Sequence, residues 1–149
     1  MTLVDIKKLL PDPDRQEYES LKTEHPFNVL SKYGNAIGEK YSGKLNGIAT
    51  ESADITSERL ISYAFYIVAA IGKGYSYRLL ELTPTSIYTY PLKVTLFENY
   101  PQELKVVNNY LELENTINSI IQMGFTKTLF LNLLAQIDLY NESRDGGFE

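Results

Sequence analysis

Few of the side chains that usually carry chemistry occur in this chain of 149 residues, which has one histidine and no cysteine. Without cysteine there is no disulfide framework, thiolate nucleophile or thiolate metal site. His25, acting as a general base, would need a carboxylate to orient it and a nucleophile within reach. No spacing in the sequence supplies them. His25 directly precedes Pro26, so a capping or surface role at the start of a helix is the better reading. Asp12-Pro13-Asp14 puts two carboxylates together, but the glycine and terminal glutamate of a calcium loop are missing. Gly72-Lys73-Gly74 lacks the third glycine and following helix of a nucleotide loop and reads as a hairpin turn. No metal site and no cofactor are expected, and no catalytic residue is assigned.

Two features remain. Six of the twelve tyrosines fall between Tyr63 and Tyr90. Tyrosine paves half-buried sheet surfaces, but it can also stack on a ligand or anchor an interface. Tyr66, Tyr75, Tyr77, Tyr88 and Tyr90 are therefore the candidate ligand-facing aromatics. The second feature is charge. The chain carries a formal −5, of which −4 lies beyond Val107, where two bases (Lys127 and Arg144) face six acids. Glu112, Glu114, Asp138 and Glu142 are the candidate partner-binding acids, since opposite potential speeds encounter with a basic protein.

These residues must be positioned by the elements around them. Leu3 to Leu10 reads as a short helical turn stopped by Pro11 and Pro13, and a weakly patterned polar segment follows. Phe27, Leu30, Tyr33, Ile37 and Tyr41 recur at helical spacing, predicting a helix over about 26–42. Gly34 and Gly38 lie on it, each costing about 1 kcal/mol relative to alanine. Close packing against a neighbour would offset that cost.

Between Lys44 and Val107 the period falls to two, and Tyr, Ile, Val and Thr accumulate. Five strands are expected: Leu45–Ser52, Arg59–Ile71, Tyr75–Leu82, Ile87–Phe97 and Glu103–Val107. The separators include Asp54-Ile55-Thr56-Ser57, Gly72-Lys73-Gly74 and Pro84-Thr85; links this short allow only antiparallel neighbours. A tight turn at Pro84-Thr85 would set Tyr75, Tyr77 and Leu79 on one face with Tyr88, Tyr90, Leu92, Val94 and Leu96. Ser76, Arg78, Thr89, Lys93 and Thr95 would take the other.

Leu113, Ile117, Ile120 and Ile121 predict a further helix, with Gly124 as its stop and Thr126 as cap of the last one. This terminal pair covers about 111–140, and the polar tail 141–149 is expected to fray. The fold class is α+β: one domain over 1–149, with a helical or irregular segment at 1–25. An antiparallel meander of four to five strands (about 45–107) is flanked by the helix at 26–42 and the C-terminal pair.

The longest apolar stretch, Tyr63 to Ile71, is nine residues, too short to span a membrane, and the first residues do not resemble a signal peptide. A cytoplasmic, intracellular protein is the expectation. Ile120 to Leu129 resembles a helix-turn-helix in outline, yet Lys127 is its only base where phosphate contact needs several. Nucleic acid is accordingly not an expected partner. Size, acidity and the missing chemistry favour a non-catalytic protein-binding domain, a bacterial-type accessory or immunity-like protein. Its partner would be another protein of basic character, met through the acidic C-terminal helices or the Tyr-rich sheet. Self-association through an edge strand or the helix pair is a further possibility. The alternatives are a small-molecule binder or enzyme, with a pocket between the aromatic sheet face and the helices, and a DNA binder.

Overall fold

The computed structural model describes residues 1–53 and 61–146. Three helices come first: α1 (Leu3–Leu9), α2 (Arg15–Thr23) and α3 (Pro26–Lys40). Five strands follow: β1 (Leu45–Ala53), β2 (Ile61–Ala69), β3 (Tyr75–Pro84), β4 (Leu92–Phe97) and β5 (Pro101–Val107). Helices α4 (Tyr110–Ile121) and α5 (Gly124–Gly146) complete the α+β fold. The strands form an antiparallel meander in the order β1-β2-β3-β4-β5. The expected turn at Asp54-Ile55-Thr56-Ser57, the strand start at Arg59 and the tail from Gly147 to Glu149 lie outside the described residues. Helix α5 runs on to Gly146, past the start of the polar stretch at Asn141.

Helix α3 forms where the sequence predicts it. Pro26 fills its first turn, where a missing N–H costs nothing, and Val29, Leu30, Gly34 and Ile37 are its buried side. It lies along β1, and the two glycines explain how closely. A Cβ on Gly34 would collide with the backbone carbonyl of Gly47 on β1, and a Cβ on Gly47 would come within 2.6 Å of the Gly34 Cα. Helix and strand touch backbone to backbone at this point.

One apolar cluster joins the helices to a single face of the sheet. Leu30 and Ile37 of α3 meet Phe65 and Ile67 of β2, Leu80 and Leu82 of β3, and Leu92, Val94 and Leu96 of β4. Leu113, Ile117 and Ile120 of α4 and Phe130, Leu133 and Ile137 of α5 close it from above. Burying such side chains is worth about 1.5–3 kcal/mol each. On the opposite face of the sheet Ile48, Ser76 and Arg78 are exposed, as one-sided antiparallel sheets allow.

Tyr75 and Tyr77 share a face with Leu92, Val94 and Leu96 as the spacing predicts, but the expected grouping differs in two respects. First, β4 starts at Leu92, not Ile87. Pro91 has no N–H to give a ladder, and its carbonyl instead accepts from the Thr85 N–H and hydroxyl, both at 3.2 Å. Residues 85–91 are thereby held as a loop, with Ile87 and Tyr88 88% and 71% exposed. Second, the register shifts between Phe65 and Tyr66: Phe65 pairs with Leu80 and Tyr66 with Arg78, leaving Leu79 as an extra residue. A single inserted residue reverses the parity of everything beyond it. Tyr75 and Tyr77 therefore share a face with Leu80 and Leu82. Leu82 pairs with Val94, and Leu80 with Leu96.

The C-terminal pair also differs in detail. Gln122 is the C-cap of α4, and Gly124 opens α5. Thr126, fully buried, does not cap α5 but donates its hydroxyl to the Ile120 carbonyl at 2.6 Å. It ties the end of one helix to the first turn of the next.

Candidate binding surfaces

The acids singled out in the sequence are spread over four local settings. Glu112 sits in the first turn of α4, where its carboxylate accepts from the Asn108 N–H at 2.5 Å and its own N–H donates to Asn109 Oδ1 at 2.9 Å. Glu114 pairs with Lys32 of α3 and accepts from the Tyr110 hydroxyl at 2.6 Å. Those contacts hold the Glu114 carboxyl below its ordinary range and push Lys32 up. Asp138 of α5 pairs with Lys44 at 2.8 Å. Glu142 is exposed further along α5. Three of the four acids are thus engaged within the chain: Glu112 at a helix start, the other two in links between elements.

Nor do the five tyrosines converge. Tyr66 is on the outer face of the sheet, where its hydroxyl accepts from Arg78 Nε and Nη2 at 3.1 and 2.9 Å. The same guanidinium lies 5.1 Å from the Phe97 ring centroid and 3.4 Å from Glu81. Tyr77, on the inner face, leans on Phe125 and donates to the Glu98 carbonyl at 2.7 Å. Tyr75 is half exposed at the strand's start, and Tyr88 stands out on the 85–91 loop. Tyr90 packs against the core and donates its hydroxyl to the Glu24 carbonyl at 2.9 Å. Its burial pushes that phenol well above its ordinary value. The apolar core lies between the aromatic face and the helices, and a cleft of about 300 Å³ remains at its edge between β5 and α4.

A cavity of about 220 Å³ does open at the rim of the sheet, between the start of α3, β2 and the 85–91 loop. Ile61, Pro84, Ile87 and Tyr88 are apolar or aromatic walls, and Ser86 and Thr89 add hydroxyls. At its base are His25 and Tyr63, with ring centroids 5.1 Å apart and edge to face. His25 is the N-cap of α3: the Phe27 N–H donates to its Nδ1 at 3.2 Å, and Nε2 lies 3.2 Å from the Tyr63 hydroxyl oxygen. Burial shifts the imidazole down from its ordinary value of 6.5, and the nearby Glu51 only partly opposes this. Burial likewise raises the Tyr63 phenol. Asp14, half of the acidic dipeptide pattern, also caps a helix, accepting from the Glu17 N–H at 3.0 Å. Among the described residues no cluster of three or more His, Asp or Glu is placed to hold a metal.

The surface that sequence reasoning overlooked is the N-terminal arm. Helices α1 and α2 contain no buried residue. Leu3, Ile6 and Leu10 follow one another at three- and four-residue spacing, and they are 67%, 43% and 59% exposed. Val4, Leu9, Tyr18 and Leu21 are exposed beside them. The helical spacing was visible in the sequence; that nothing covers it was not. Yet α1 is well specified locally. Thr2 and Asp5 form a reciprocal capping box, the Asp5 N–H reaching Thr2 Oγ1 at 3.2 Å and the Thr2 N–H reaching Asp5 Oδ2 at 3.0 Å. The contacts from Thr2 lower the Asp5 pKa.

Among the described helices, no single one is long and apolar enough to cross a membrane. No family model, curated protein or solved structure matches this chain.

Proposed function

We propose that this protein is a non-catalytic binding module that docks onto another protein through its N-terminal arm. One observation carries the reading: a short helix with its own capping box presents Leu3 and Ile6, with Leu10 at its C-cap, to solvent and has no buried residue, while α3, α4 and α5 each bury apolar side chains in the core. Contiguous apolar side chains outside the core mark interaction surfaces. A short helix with apolar anchors at this spacing fits a helix-in-groove mode of recognition. Lys7 and Lys8 in its last turn favour a groove with an acidic rim. This replaces the acidic helices as the contact surface, because Glu112, Glu114 and Asp138 already have partners in the chain.

The test compares the wild-type chain with the Leu3→Glu/Ile6→Glu/Leu10→Glu variant in cross-linking and affinity capture, with vesicles of anionic lipid as a parallel arm. A protein partner held by the wild type and lost by an equally stable variant supports the reading. Identical partners for both chains, or arm-dependent binding to vesicles alone, overturns it.

A further inference from the structure

At the rim cavity the hydrogen bonds of His25 and Tyr63 leave a donor unused, independent of the arm. The Phe27 N–H points at His25 Nδ1, so that nitrogen must accept and carries no proton. A neutral imidazole then has its proton on Nε2, which donates to the Tyr63 hydroxyl oxygen 3.2 Å away. Tyr63 has one proton of its own, and it cannot be given back to Nε2. Among the described residues no other group bonds to that hydroxyl, and the cavity lies in front of it. Helix capping at one end of the imidazole thus orients a phenolic donor at the other.

The surroundings narrow what would accept the proton. Glu51 stands directly opposite Tyr63 in the β1–β2 register, so a second negative charge is disfavoured there. His25 is neutral and supplies no cation to offset it. Ile61, Pro84, Ile87 and Tyr88 offer apolar contact, and a volume of about 220 Å³ admits only a small molecule or a single side chain. Other clefts, such as the 410 Å³ one beside Lys32 and Tyr110, are more open to solvent.

We propose that the cavity between His25, Tyr63 and the 85–91 loop binds a small uncharged molecule through a carbonyl oxygen, which accepts the Tyr63 O–H. The apolar body of that ligand rests against Ile61, Pro84 and Tyr88, and the loop sets its size limit.

Benzamide is a suitable probe and benzoate its charged control, titrated into the full isotope-labelled chain and followed by amide chemical shifts. Benzamide is expected to move the signals of Tyr63, Tyr88 and Thr89 and to bind more tightly than benzoate. Tyr63→Phe keeps the ring and removes the donor, so it should weaken benzamide about three- to tenfold, the worth of one neutral hydrogen bond. Tyr88→Ala removes an exposed wall without touching the core, and it should also weaken binding. Shifts at other residues, equal affinity in Tyr63→Phe and wild type, or a preference for benzoate would overturn the proposal.

Discussion

His25 is a structural residue before it is anything else. It takes the N-cap position, where Asn, Asp, Ser and Thr are commoner, by using a ring nitrogen as the acceptor. His25→Ala should therefore cost about 1 kcal/mol in urea unfolding, whereas His25→Asn should restore most of the loss. The cap also implies a pH dependence. Burial depresses the folded-state pKa of His25, so the unfolded chain binds more protons and stability rises with pH in that window. Relative to His25→Asn, the wild type should lose stability as pH falls below about 6.5. An unchanged difference between pH 7.5 and 5 would contradict this account. At Gly34 two effects compete. Alanine gains about 1 kcal/mol of helix propensity, but its Cβ would enter the Gly47 carbonyl, backbone that cannot swing aside. Gly34→Ala should be destabilising by about 1–3 kcal/mol. Gly38→Ala meets only the Asn46 Oδ1, at 2.5 Å, the movable end of a side chain, and should cost less.

The elements are joined by a few specific polar links laid over the apolar core. The Thr126 hydroxyl bridging α5 to the Ile120 carbonyl is buried, so Thr126→Val leaves that carbonyl without this donor. It should lower stability by about 1–3 kcal/mol by chemical denaturation. The Lys32–Glu114–Tyr110 group between α3 and α4 is partly exposed, and solvent screens it. Lys32→Met should change stability by less than about 1 kcal/mol, and the difference should shrink in high salt. Equal costs for the two variants would refute the assignment of buried and exposed roles. At the level of strands, the bulge at Leu79 and the loop over residues 85–91 act together. The bulge returns Leu80 and Leu82 to the core face, and the loop lifts Ile87 and Tyr88 out of the sheet. The alternation that seemed to run through both strands is interrupted in each.

For the whole molecule, the layers are one sheet and three helices around a single cluster, with α1 and α2 outside it. The Leu3→Glu/Ile6→Glu/Leu10→Glu variant should consequently melt close to wild type, within about 0.5 kcal/mol per substitution. Leu113→Ala, on the buried side of α4, should cost about 2–5 kcal/mol. A large loss of stability in the arm variant would show that the arm belongs to the core. Local patterning made most of the architecture legible. A change of period from 3.6 to 2 marked α3 from the strands, short Gly- and Pro-containing links imposed a meander, and Gly34 announced a close approach. Missing Cys and the solitary His narrowed the chemistry before any contact was known. Other features depend on residues far apart in the chain and carry no local signature. The bulge registers only against β2, the acids are engaged by Lys32, Lys44 and Asn108, and His25 meets Tyr63 across 38 positions. Spacing along a chain fixes which side of an element is apolar, because that is local geometry. Which side is covered, which charge is paired and where a hydroxyl must send its proton are decided only when the elements meet.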